Sequence, residues 1–238
     1  MGVNQELNEL QKQVTRKKIL ETAFRVFSEK TIGKVRMTDV AEAAGIGVAT
    51  VYRYFPTKPV LVLSVSTWAW DQYLTGSKRR LDGMDCSAAE KYEYFLNSFL
   101  DLYRGHRDLL RFNQFFNVYI ENENAVPPEA MQPYLDMIDV LSGRFEEIYR
   151  LGQEDGTLRT DLSSREIFAP TLHLMLAAVT RYAVGLVYEG GDDPEKELVL
   201  LKSLLMREFT KAPEQERDAS AEKFPLESLK RQDGIHGL

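Results

Sequence analysis

Apolar residues in this 238-residue chain recur at spacings of three and four almost from end to end, and no segment sustains the alternation of a half-buried strand. Pro and Gly fall mainly where these runs stop. The reading is an all-α chain of about nine helices. A first helix is expected at roughly residues 15–30, where Ile19, Leu20, Ala23, Phe24 and Phe27 make one buried stripe. Thr38 is read as the cap of a short second helix ended by Gly45, and a third run, VATVYRYF, stops at Pro56. Thr57 then caps a longer helix that begins at Lys58-Pro59. Ser87-Ala-Ala-Glu90 and Ser163-Ser-Arg-Glu166 have capping-box spacing, and Asp193 precedes Pro194 as an N-cap. Stops are expected near Gly105, at 124–128, at 152–156 and at 190–191. Pro170 sits inside the 164–188 segment, so that helix either kinks or begins later.

The single Cys86 excludes a disulfide framework, and with three histidines far apart no metal-ligand spacing is present, so no metal or cofactor is expected. No apolar run is long enough to span a membrane, and the polar start MGVNQELNELQKQ lacks a secretory apolar region, so a cytoplasmic location is expected. The net charge of −6 hides an asymmetry. Residues 1–65 hold 10 Lys and Arg against 6 Asp and Glu, a net of +4, while the rest hold 20 against 30. A basic front on an acidic body fits a polyanion met by the front end alone, and it also fits a chance fluctuation of a few charges.

Residues 38–58 carry the more specific signal. Two short helices joined by the three-residue turn Gly45-Ile46-Gly47 describe a helix-turn-helix, although helix pairs with Gly turns also occur in ordinary all-α cores. The second of them exposes Val48, Ala49, Thr50, Arg53 and Tyr54 and turns Val51 and Phe55 inward. The wording LETAFRVFSEK followed by MTDVAEAAGIGVATVYRYFPTK resembles the DNA-binding domain of the tetracycline-repressor (TetR) family. Ala23, Phe27, Thr38, Ala44-Gly45, Tyr52, Phe55 and Thr57-Lys58 carry the likeness over about residues 15–65, and LGQEDGTLRTDL looks like the segment before that family's dimerisation helices. The resemblance implies that Thr38, Tyr52 and Lys58 grip phosphates, with Arg16, Lys17, Lys18, Lys34 and Arg36 as basic neighbours. Base edges fall to Val48, Ala49, Thr50, Arg53 and Tyr54. Gly47 departs from the pattern, since many members place a Ser or Thr cap there.

On this reading residues 1–58 are the DNA-binding domain, 59–212 a helical ligand-binding and dimerisation domain, and 213–238 a flexible polar tail. The resemblance implies a cavity in the larger domain for an unidentified small effector, and its aromatic content suggests a lipophilic one. Candidate lining residues are Trp68, Phe99, Tyr103, Phe112, Phe116, Asn117, Glu121 and His173, each of which also fits plain core or surface duty. A homodimer is expected through roughly 164–210, where LHLMLAAVTRYAVGLVY is apolar over most of its circumference and Ala177, Ala178, Ala183 and Gly185 permit close approach. The partners expected are therefore double-stranded operator DNA, a second copy and a small molecule, with no membrane. No nucleophile elbow, phosphate loop or His-Glu-x-x-His is present, so no enzyme is expected. The alternative is a helical carrier or enzyme that retains a helix-turn-helix.

Overall fold

The computed structural model describes residues 2–123, 126–186 and 193–211. Nine α-helices occur among them: α1 (Gly2–Glu29), α2 (Met37–Ala44), α3 (Val48–Tyr54), α4 (Lys58–Asp82), α5 (Ala88–Gly105), α6 (Arg107–Glu121), α7 (Pro128–Asp155), α8 (Ser164–Ala183) and α9 (Pro194–Phe209). One 3-10 turn, Ile32–Lys34, precedes α2, and no strand is found among the described residues beyond a single bridge between Leu158 and Thr210. The all-α expectation holds. The expected stop at 190–191 and the tail from 213 lie outside the described residues.

The head forms because α1 buries Ile19, Leu20, Ala23 and Phe27 against Val40, Val51 and Phe55 of the helix pair. Burying each such side chain contributes about 1.5–3 kcal/mol. Gly45 supplies the turn with φ of 63°, and the N–H groups of Ile46 and Gly45 donate to the Ala41 and Glu42 carbonyls. This paired arrangement closes α2 and reverses the chain, which only a residue tolerant of the left-handed region does without strain. Ile46 is half-buried against the core and pins the two helices together.

Three expectations are corrected here. The first helix begins at Gly2 rather than near 15, because no Gly or Pro interrupts the sequence between Gly2 and Gly33. Thr38 is not the cap of α2: the cap is Arg36, whose N–H and guanidinium donate to the Asp39 carboxylate at 2.8 and 2.9 Å. Thr38 lies one residue inside the first turn, exposed. The 164–188 segment begins at Ser164 with Pro170 inside the helix and ends at Ala183, followed by Gly185 at φ of 79°.

In the body, α5 packs on α8 and α9, α4 on α7, and α6 on both α8 and α1. Both capping boxes form, Ser87 with Glu90 and Ser163 with Glu166, and Asp193 accepts from the Glu195 N–H. The segment 155–162 closes one end of the bundle. Asp155 accepts the Ala88 N–H at 2.7 Å and Thr157 Oγ1 accepts the Ala89 N–H at 3.0 Å, which satisfies the start of α5. The N–H of Arg159 donates to the Phe209 carbonyl and that of Lys211 to the Thr157 carbonyl, tying the end of α9 to the same place. Arg159 adds ion pairs to Asp161 and Glu208.

A Cβ built on Gly152 would lie 2.7 Å from Cβ of fully buried Leu158, whereas Gly143 on the same helix has open space around it. Gly152→Ala should therefore destabilise the protein by about 1–3 kcal/mol through overpacking. Gly143→Ala should stabilise it by about 0.4–1 kcal/mol, as denaturant midpoints would report. The Ser87 hydroxyl and N–H hold Glu90 below the ordinary carboxylate range, and the Ser163 N–H and hydroxyl do the same for Glu166. Their contribution is complete above that range and is lost as pH falls below it through their lowered pKa values, so Glu166→Gln should flatten the acid limb of a stability–pH profile.

Candidate functional site

The outward face of α3 is the first candidate. Val51 and Phe55 are fully buried, which leaves Val48, Ala49, Tyr52 and Arg53 facing solvent, with Tyr52 48% exposed. Thr50 and Tyr54 are half-buried, so both are less open than the sequence suggested. Gly47 caps the helix with no side-chain hydrogen bond, as its lack of a hydroxyl requires. Thr38, in the first turn of α2, lies on the same unit.

The basic residues around this face divide by what they already hold. Arg36 is tied to Asp39, Lys17 faces Glu21 at 3.7 Å, and the Arg16 guanidinium lies 5.1 Å from the centre of the Phe55 ring. Lys18 and Lys34 are exposed. Lys58 differs from expectation: its Nζ donates to the Gly33 carbonyl at 3.1 Å and sits 5.1 Å from the centre of the Tyr119 ring on α6. Burial lowers its pKa from the ordinary lysine value, with Glu123 and Asp39 opposing. Lys58 is thus a contact between head and body as well as the first residue of α4.

The sequence reading missed the first half of α1. Gln5, Asn8, Gln11 and Lys12 line a groove with Arg53 and Tyr54, so this helix flanks the end of α3. The unbroken run without Gly or Pro was the signal for it.

The second candidate is an apolar cavity of about 70 Å³ in the body. Trp70, Tyr73 and Leu74 of α4 form one wall, and Phe95, Ser98, Phe99 and Leu102 of α5 another. Tyr134, Met137, Ile138 and Leu141 of α7 face Leu172 and Leu176 of α8, and α6 contributes Asn113. Tyr73 donates to the Ser98 carbonyl and Ser98 Oγ to the Phe95 carbonyl, so both hydroxyls are used within the wall.

Of the lining residues expected from sequence, Phe99 alone faces this cavity. Asn117, Glu121 and His173 are exposed, because the buried stripes of α6 and α8 run through Leu109, Phe112, Asn113 and Phe116 and through Thr171, Met175 and Val179. Trp68 and Phe112 pack on Phe24 where head meets body, at ring distances of 6.1 and 5.5 Å. Phe116 lies between Phe112 and Tyr134, and Tyr103 packs against Tyr182. Missed was the Tyr134–Leu141 stretch, whose apolar spacing on α7 was the available signal.

A third feature is the outer face of α8 and α9, where Leu174, Leu200 and Leu204 are 50%, 62% and 43% exposed beside exposed Ala177 and Val199. Adjacent exposed leucines on two packed helices form a patch of the kind that associates.

Residues 19–65, from the buried stripe of α1 into α4, match the family of bacterial regulatory proteins, tetR family. The chain is 32% identical over 87 residues to the HTH-type transcriptional regulator LuxR of Vibrio harveyi, a stretch covering 37% of this chain and 42% of that relative. The match thus spans less than half of the relative's length. In fold, the chain resembles the transcriptional regulator FadR from Bacillus subtilis, solved in complex with stearoyl-CoA, with a TM-score of 0.64 at 18% identity over 80% of this chain and 97% of that one. It also resembles the ketosteroid transcriptional regulator KstR2 of Mycobacterium tuberculosis, with a TM-score of 0.60 at 18% identity over 83% and 95% of the two chains. The sequence likeness to the tetR family is thus carried by the head, residues 19–65, and the likeness to solved transcriptional regulators over most of the chain is one of fold.

Proposed function

We propose that the chain is a cytoplasmic one-component repressor that binds a near-palindromic operator as a homodimer and is switched by a small lipophilic ligand. The observation that carries the reading is a shared helix: α4 follows α3 directly in the chain and continues into the cavity wall through Trp70, Tyr73 and Leu74. On DNA, Val48 and Ala49 meet thymine methyl groups, and Thr50, Arg53 and Tyr54 reach base edges in the major groove. Thr38, Tyr52 and Lys58 hold phosphates and set the docking angle. Two recognition helices about one DNA turn apart require a dimer, and the exposed leucines of α8 and α9 are suited to form it.

A ligand entering so narrow a cavity pushes α4 and α7 apart. A second route to the head runs through the rings of Tyr134, Phe116, Phe112 and Phe24. Coupling of about 1–3 kcal/mol suffices to change DNA affinity 5- to 150-fold. The bound stearoyl-CoA in the FadR structure supports a ligand role for the body of this fold. We assign the chain no catalytic activity, and the shifted carboxylates Asp39, Glu90 and Glu166 all serve helix starts.

The test is selection of genomic fragments by the purified protein at about 150 mM salt. One near-palindrome should be enriched, bound at least about a thousandfold more tightly than random DNA. A folded, dimeric protein that enriches nothing, with or without cell extract, overturns the proposal in favour of a carrier or enzyme.

Thr50→Ala should relax sequence preference, whereas Tyr52→Phe and Lys58→Ala should weaken binding to all sequences. For Lys58→Ala the salt slope should also fall by about one. An unchanged slope would confine Lys58 to its contacts with Gly33 and Tyr119. Leu200→Glu, at an exposed site, should yield a folded monomer in sedimentation and lose operator selectivity while keeping weak non-specific binding.

A further inference from the structure

The cavity contains one side chain that the fold itself does not explain. Asn113 is only 4% exposed and lines the cavity from α6, yet its amide makes no hydrogen bond to any described residue. The amide opens onto the cavity, where an occupant is the partner that would satisfy it. The Tyr134 hydroxyl, on the facing wall, likewise has no hydrogen bond among the described residues. Burial pushes its pKa up, so it stays an uncharged donor. Around these two groups the walls are aromatic and aliphatic, and among the described residues no Asp, Glu, Lys or Arg lines the cavity.

We infer that the cavity takes a compact, uncharged, largely hydrocarbon molecule whose carbonyl or hydroxyl oxygen is held by the Asn113 amide. This rests on the reading of the body as a ligand domain and adds the chemical class. The amide both donates and accepts, so it serves a ketone, lactone or alcohol equally. A carboxylate or ammonium group entering the same place would lose its hydration with no opposite charge to replace it. The aromatic walls offer a cation some compensation through their ring faces, which makes an amine the sharpest rival.

The experiment uses the full-length protein and four single-ring probes of similar size: 4-methylacetophenone, 4-methylbenzoate, 4-methylbenzylamine and p-xylene. Binding is followed by calorimetry and by emission of Trp70, which lines the cavity. The ketone should bind most tightly, and Asn113→Leu should weaken it about tenfold while leaving p-xylene unchanged. As a measurement that needs no variant, the carbonyl stretch of the bound, isotope-labelled ketone should stay at the lowered frequency of a hydrogen-bonded carbonyl rather than rise to its value in hydrocarbon solvent. Tighter binding of the benzoate or benzylamine overturns the assigned class while leaving the ligand-domain reading intact. A bound ketone whose carbonyl stretch rises to its hydrocarbon-solvent value removes Asn113 from recognition. Failure of all four probes to bind up to their solubility limits overturns the site itself. Release of the selected operator by fractionated cell extract then judges the regulator reading separately.

Discussion

Two-sided burial of α1 is the constraint on which the rest of the molecule depends. Ile19, Leu20, Ala23 and Phe27 face the helix-turn-helix pair and the start of α4, while Phe24 reaches the body through Trp68 and Phe112. A single helix therefore joins head and body in one continuous core, so the exposed face of α3 is held in a fixed relation to α4 and α6. Interiors packed at this density respond to strain by moving whole elements rather than by deforming smoothly. Disturbance in the body accordingly reaches the head as a displacement of helices.

Charge is used here chiefly to start helices. Asp39, Glu90 and Glu166 each accept main-chain N–H groups at a helix beginning, where the partial positive charge of the unpaired amides favours them. Several basic residues near α3 are similarly engaged, Arg36 by Asp39 and Lys58 by Gly33 and Tyr119. The formal +4 of the first 65 residues thus overstates the positive charge free to meet a polyanion.

Local signals in the sequence were read well where they are chemically narrow. The turn at Gly45-Ile46-Gly47, the capping boxes at Ser87 and Ser163 and the Asp193-Pro194 start each depend on residue types few others replace. Thr38 was misread because a threonine before an apolar run looks like a cap, whereas Arg36 holds that place and Asp39 supplies the acceptor. The cavity was the least legible feature. Which of many aromatics surround a void depends on how five helices cross, and neighbouring residues on one helix point in different directions. Even along one side of a helix depth varies: Asn113 and Asn117 are four residues apart and both beside phenylalanines, yet one is buried and the other faces solvent.

The hydrogen bonds at 155–159 have a mechanical meaning as well as a structural one. They fasten the last residues of α7, the first of α5 and the end of α9 to one another. The cavity lies beyond this fastening, against the earlier half of α7 and the later half of α5. A bundle pinned at one end opens at the other, like a book held by its spine. On the proposed reading, a ligand that widens the cavity would swing the unpinned ends of these helices rather than the sealed one.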